Sequence, residues 1–126
     1  MRIDINKPNN NQLTPLWFAS QFGYLPVVQL ILASGREIDT KTKSIAGTAL
    51  GSNMTAVEVA QSQGTRTQDE WESKEEYTRG KINGPLIATL IASYEQNPQQ
   101  VRTQLRKQLG LKGSNFSLLF ALHLSD

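Results

Sequence analysis

Apolar residues in this chain recur at helical spacing in short blocks, and each block is bracketed by residues that start and stop helices. In the first, Thr14 can cap a helix by accepting from a free backbone N–H, and Pro15 fits the first turn, where its preset φ suits the helix and its missing donor costs nothing. The pattern predicts a helix over 15–22, with Leu16, Ala19 and Ser20 making a face small enough for a neighbouring helix and Gly23 as a left-handed stop. Pro26 then opens a second helix over 26–34, in which Val27, Val28, Leu30, Ile31 and Leu32 form an apolar face too broad for a lone hairpin to bury, and Gly35 ends it. Helices this short are marginal alone, so their stability has to come from stacking on neighbours.

The block returns. Asp4-Ile5-Asn6 recurs as Glu37-Ile38-Asp39, an offset of 33 residues. Thr55, Ala60 and Gly64 repeat the frame of Thr14, Ala19 and Gly23 at an offset of 41, and Pro85-Leu86-Ile87-Ala88-Thr89-Leu90-Ile91-Ala92-Ser93 mirrors Pro26 to Ser34 at 59. The second copy is therefore the same helix pair with eight residues added to the loop before it and eighteen more between its helices. In between, 36–54 reads as an enlarged polar finger with Gly47 and Gly51 at a flexible tip, and 55–63 as a helix. Within an insertion at 65–84, Thr67-Gln68-Asp69-Glu70 reads as a capping box opening a separate helix as far as about Arg79, with Gly80 and Gly84 bracketing its exit before the helix at 85–96. Asn97-Pro98 caps a further helix to Leu109, with Val101, Leu105 and Leu109 on one stripe and Gly110 at its end. The final segment from Ser114 or Asn115 to Leu124, holding Phe116, Leu118, Leu119, Phe120 and Leu122, is apolar nearly all round and reads as a buried helix.

Asp4-Ile5-Asn6-Lys7, Thr14-Pro15-Leu16-Trp17-Phe18-Ala19 with Gly23, and the 33-residue return together resemble an ankyrin repeat. The resemblance covers about 35 residues closely and about 95 if the interrupted second copy is included, and it implies an all-α fold: an ankyrin-type helical solenoid over 1–96 with the insertion at 65–84, followed by a C-terminal helical pair at 97–126 acting as a cap. Trp17 departs from the family motif, which has histidine there, and an indole must find its own partner for its N–H. Ala56, Val57 and Glu58 replace Pro, Leu and His in the second copy, a drift similar to that of terminal repeats. The chain starts in the turn that would follow a preceding repeat, so the first unit is expected either to belong to a longer array or to be covered by another chain, including a second copy of itself. Such a repeat has no room for a buried active site and implies a protein-binding surface at the finger tips and the exposed side of the inner helices. Those positions correspond to Asn10, Asn11, Leu13, Gln21 and Phe22 in the first unit and Met54, Ser62 and Gln63 in the second. Phe22 is the strongest anchor candidate, since an aromatic buried at the centre of an interface contributes about 2 kcal/mol or more; the competing reading packs it against the next repeat.

Composition narrows the remaining classes. With 126 residues, 38% hydrophobic and 19% charged, the chain fits one small soluble domain. The absence of cysteine excludes disulfides and thiolate chemistry and fits a reducing compartment, cytoplasmic or nuclear. No apolar run approaches membrane-spanning length. His123, the sole histidine, sits between Leu122 and Leu124 as a core or chain-end residue, while the carboxylate pairs Glu58 with Glu95 and Asp69 with Glu72 lack any pocket signature, so no enzyme, cofactor or metal is expected. The acids Asp69, Glu70, Glu72, Glu75 and Glu76 with Trp71 and Tyr77 raise a docking element for a basic partner; the blander reading is a solvated helix face with both aromatics turned onto the outer helices. Arg102, Arg106, Lys107 and Lys112 admit weak contact with nucleic acid or an anionic surface through 98–112, but a net charge of +2 with no reader motif argues against it. A structural spacer within a larger protein is the other alternative to a binding module.

Overall fold

Helices form where local capping chemistry specifies them. The computed structural model describes residues 5–10, 12–45 and 53–110, and within them the chain is all-helical, with α1 at Pro15–Gln21, α2 at Leu25–Leu32, α3 at Ala56–Gln63, α4 at Lys74–Gln96 and α5 at Pro98–Leu109. Asn11, the finger tip with Gly47 and Gly51, Lys112, and the apolar segment with His123 lie outside the described residues.

Thr14 caps α1 by accepting from Trp17 N–H at 3.2 Å, and Gly23 follows at φ +71°. Thr55 and Glu58 close a reciprocal capping box on α3, with Thr55 N–H donating to Glu58 Oε1 at 2.9 Å. This hydrogen bond from the Thr55 backbone holds the Glu58 carboxyl below its ordinary pKa. Asn97 caps α5 by accepting from Gln100 N–H at 3.2 Å. α2 stops at Leu32, two residues before the expected end, and the carbonyl of its C-cap, Ala33, is met by a tertiary partner, Arg106 Nε donating to it at 2.8 Å.

The helices stack pairwise: α1 lies beside α3, α2 beside α4, and α1 against α2. Leu16, Ala19, Val28, Ile31, Ala60, Ile87 and Ile91 share one core, joining the apolar faces of both helix pairs. α5 packs on α2 and α4 and not on α3, with Val101 and Leu105 buried, so it closes the outer layer rather than continuing the inner one.

The internal repeat is physical as well as sequential. Asn6 donates from Nδ2 to Glu37 O at 2.7 Å and accepts from Asp39 N–H at 2.8 Å, so residues 33 positions apart are cross-linked. Ile5 and Ile38, the same distance apart, are both in the core. Each finger also closes in the same way just before its threonine cap. Asn9 N–H donates to Leu13 O at 3.1 Å, and Ser44 N–H donates to Met54 O at 3.0 Å. The equivalent residues Gln12 and Asn53 both have positive φ, 61° and 58°.

The insertion departs from the sequence expectation. Thr67 to Glu70 opens no helix; Ser73 caps instead, accepting from Glu76 N–H at 3.1 Å, and α4 then runs 23 residues without a break through Gly80, Gly84 and Pro85. The glycines serve packing rather than termination. A Cβ on Gly84 would sit 2.4 Å from Ala60 O, and α3 approaches α4 at that point. Pro85 lies on the exposed side of α4, where the carbonyl deprived of its partner can meet solvent. Residues 65–84 thus comprise a non-helical strap at 66–73 and the first half of the outer helix.

Candidate functional site

The strap, α1 and α3 enclose an open groove of about 430 Å³ lined by Gln21, Phe22, Met54, Val59, Ser62, Gln63, Arg66, Asp69, Trp71, Glu72 and Glu76. Its floor is positioned by Trp17, 1% exposed, which packs with Leu13 and Val59 and donates its indole N–H to Met54 O at 2.9 Å. That hydrogen bond supplies the partner an isolated indole in this position lacks, and it ties the second finger to α1.

Aromatic rings continue along the edge of α1. Trp17 meets Phe18 edge-on at 6.3 Å, Phe18 stacks on Phe22 at 6.3 Å, and Phe22 tilts against Tyr24 at 6.0 Å. Arg79 fixes the far end: its guanidinium lies 4.3 Å over the Tyr24 ring and its Nε donates to Phe22 O at 2.8 Å. Asn83 donates to Gly23 O at 2.9 Å, so α4 is hydrogen-bonded to the chain just beyond the C-terminus of α1.

Arg66 organises the strap. Its Nε donates to Gln63 Oε1 at 2.8 Å, one terminal nitrogen donates to Glu72 Oε1 at 2.9 Å and the other to Glu72 Oε2. Tyr77 donates its hydroxyl proton to Arg66 O at 3.1 Å, with the guanidinium 5.4 Å from the Tyr77 ring. The hydrogen bonds from Arg66 hold the Glu72 carboxyl below its ordinary pKa, and Glu72 in turn raises that of Arg66. Asp69 is farther from Arg66, at 3.7 Å, with a side chain 53% exposed.

Five of the eight residues expected to face a partner therefore meet in one place: Gln21, Phe22, Met54, Ser62 and Gln63 all line the groove. Gln63 is nonetheless 6% exposed, because it supports Arg66 from below. Leu13, 1% exposed, belongs to the Trp17 cluster and presents no surface, a correction that follows from the hydrophobic seam between α1 and α3. Asn10 is exposed on the first finger but away from the groove lining. Trp71 overturns the expectation that it turns onto the outer helices: it is 86% exposed, because the strap that carries it is not a helix with an inward face. Tyr77 is partly buried as expected. Arg66 was not visible as a site residue in the sequence, since its bond to Glu72 spans six residues of irregular chain and matches no helical pairing rule.

The carboxylates Glu58 and Glu95 have separate structural roles. Glu58 caps α3, while Glu95 accepts from Thr40 Oγ1 at 2.7 Å and pairs with Lys41 at 2.8 Å. Arg106 is committed to Ala33 O. Among the described residues no group of three or more His, Cys, Asp or Glu is placed to hold a metal, and no helix is long and apolar enough to cross a membrane. No protein family, curated protein or solved structure matches the chain.

Proposed function

We propose that this chain is a non-catalytic protein–protein interaction module of ankyrin-repeat type, working inside the cell and binding its partner in the groove between α1, α3 and the strap. The observation that carries the reading is the convergence of Gln21, Phe22, Met54, Ser62 and Gln63 around one concavity with Trp71 exposed at its rim. The hydrogen bond that Asn6 accepts from Asp39 N–H, 33 positions on, and the side-by-side placement of α1 with α3 and α2 with α4, support the repeat assignment. A cavity built from an aromatic, a thioether and a few polar groups suits a short segment of a partner.

The test is affinity capture with the wild-type chain, Phe22→Ala and Trp71→Ala, each first shown to be folded by circular dichroism. The same partner should be lost or depleted about tenfold in both variants, as for truncation of an interface anchor. Undiminished capture by both would refute the groove as the binding surface.

A further inference from the structure

The groove's charges are mostly of one sign. Three carboxylates line it, Asp69, Glu72 and Glu76, against the single guanidinium of Arg66. Arg66 is forked onto Glu72 and also lies 3.7 Å from Asp69, so one guanidinium answers three carboxylates, and the side chains of Asp69 and Glu76 remain exposed. The neighbouring cations are occupied or displaced. Arg79 lies over Tyr24, Lys81 sits beside the Tyr77 hydroxyl at 3.4 Å, and Lys74 does not line the groove. Gln21 Oε1 is buried with no donor, an acceptor without a proton at the groove wall. Trp71 offers an open indole face. This local negative sign runs against a chain whose net charge is +2.

We propose that the groove receives an arginine-type or lysine-type side chain from an extended segment of a partner protein; the inference rests on the protein-binding reading above and adds the sign and shape of what is bound. Phe22, Met54 and Val59 cover the methylene stem, and the cationic head meets the Trp71 face and the carboxylates of Asp69 and Glu76. A volume of about 430 Å³ accommodates a long side chain and its neighbour and is too small for a folded element. An acidic segment would place like charges together, at a cost larger than the apolar contact returns.

The test uses the full chain and three synthetic peptides, Ala-Leu-X-Leu-Ala with X as arginine, glutamate or norleucine, followed by the NMR shifts of the Trp71 indole and the Gln21 side-chain amide. The arginine peptide should shift both signals and bind about tenfold more tightly than the norleucine peptide, with the glutamate peptide weakest. Asp69→Asn with Glu76→Gln should erase that advantage while leaving norleucine binding unchanged; both positions are exposed, so the fold is not at stake. Equal binding of the arginine and norleucine peptides at the groove would overturn the cationic preference and leave the docking site standing. Absence of groove shifts with the arginine peptide at concentrations on the order of 1 mM would also overturn it, independently of the capture result.

Discussion

Replacing Gly84 with alanine separates a packing glycine from a helix breaker. A Cβ at this position would meet Ala60 O at 2.4 Å and Gln63 Cβ at 2.9 Å, and the first of these is backbone, so α3 and α4 must move apart. Overpacking of this kind costs about 1–3 kcal/mol, while exchanging glycine for alanine in a helix returns up to about 1 kcal/mol. The net expectation is a loss of about 1–2 kcal/mol, or a fall in Tm of roughly 4–8 °C for a domain of this size. Gly80 is the internal control. A Cβ there would sit 3.2 Å from Gln63 Oε1, a side-chain atom that has to give by only a few tenths of an ångström while it accepts from Arg66, so Gly80→Ala should stay within about 1 kcal/mol of the wild type. Thermal and urea unfolding followed at 222 nm measures both. If residues 80–84 formed the loop that glycine content suggests, the two substitutions would have similar effects; equal stability changes, or a stabilised Gly84→Ala, would refute a continuous α4 packed on α3.

Two further outcomes follow from the same contacts. Asn6→Ala removes the side chain that donates to Glu37 O and accepts from Asp39 N–H, and at about 1 kcal/mol per hydrogen bond the loss is about 2 kcal/mol in urea unfolding; a change near zero would mean the units 33 residues apart are not linked there. The Arg66–Glu72 pair makes the strap acid-sensitive. Because the folded pKa of Glu72 lies below its ordinary value of 4.5, the pair's stabilisation is present above that pH and is lost as pH falls through the folded pKa. For a partly exposed pair this amounts to at most about 1 kcal/mol. The NMR signal of Arg66 Nε–H, which donates to Gln63, should report the strap's release below pH 4.5, and a Glu72→Gln variant should release it at neutral pH; a signal unchanged in Glu72→Gln would show that the ion pair does not hold the strap.

Much of the fold was legible because capping is local. Thr14-Pro15, Asn97-Pro98, Gly23 and Gly110 each placed a helix end within a residue or two, since the groups that satisfy a free N–H or allow a left-handed turn are neighbours in the chain. The 33-residue return was visible in the sequence, and the structure adds that its two ends meet, Asp39 N–H donating to Asn6 Oδ1. Gly80, Gly84 and Pro85 misled for a related reason: their propensities argue for a break, whereas the energy that decides α4 comes from α3, whose backbone approaches only where a side chain is absent.

The groove divides in the same way. Its α1 and α3 walls followed from positions equivalent between the two copies, but Arg66 became part of it only because the strap folds back to bring Glu72 and Gln63 within reach. Trp71 is exposed for a tertiary reason too, being carried on irregular chain held at both ends rather than on an amphipathic helix. The sequence by itself determined the ends of α1, α3 and α5 and which faces are apolar, because those depend on contacts a few residues apart. Which glycines are gaps for another backbone, and which charges meet, was decided by the packing of α3 against α4, since these depend on distances through space that no local pattern encodes.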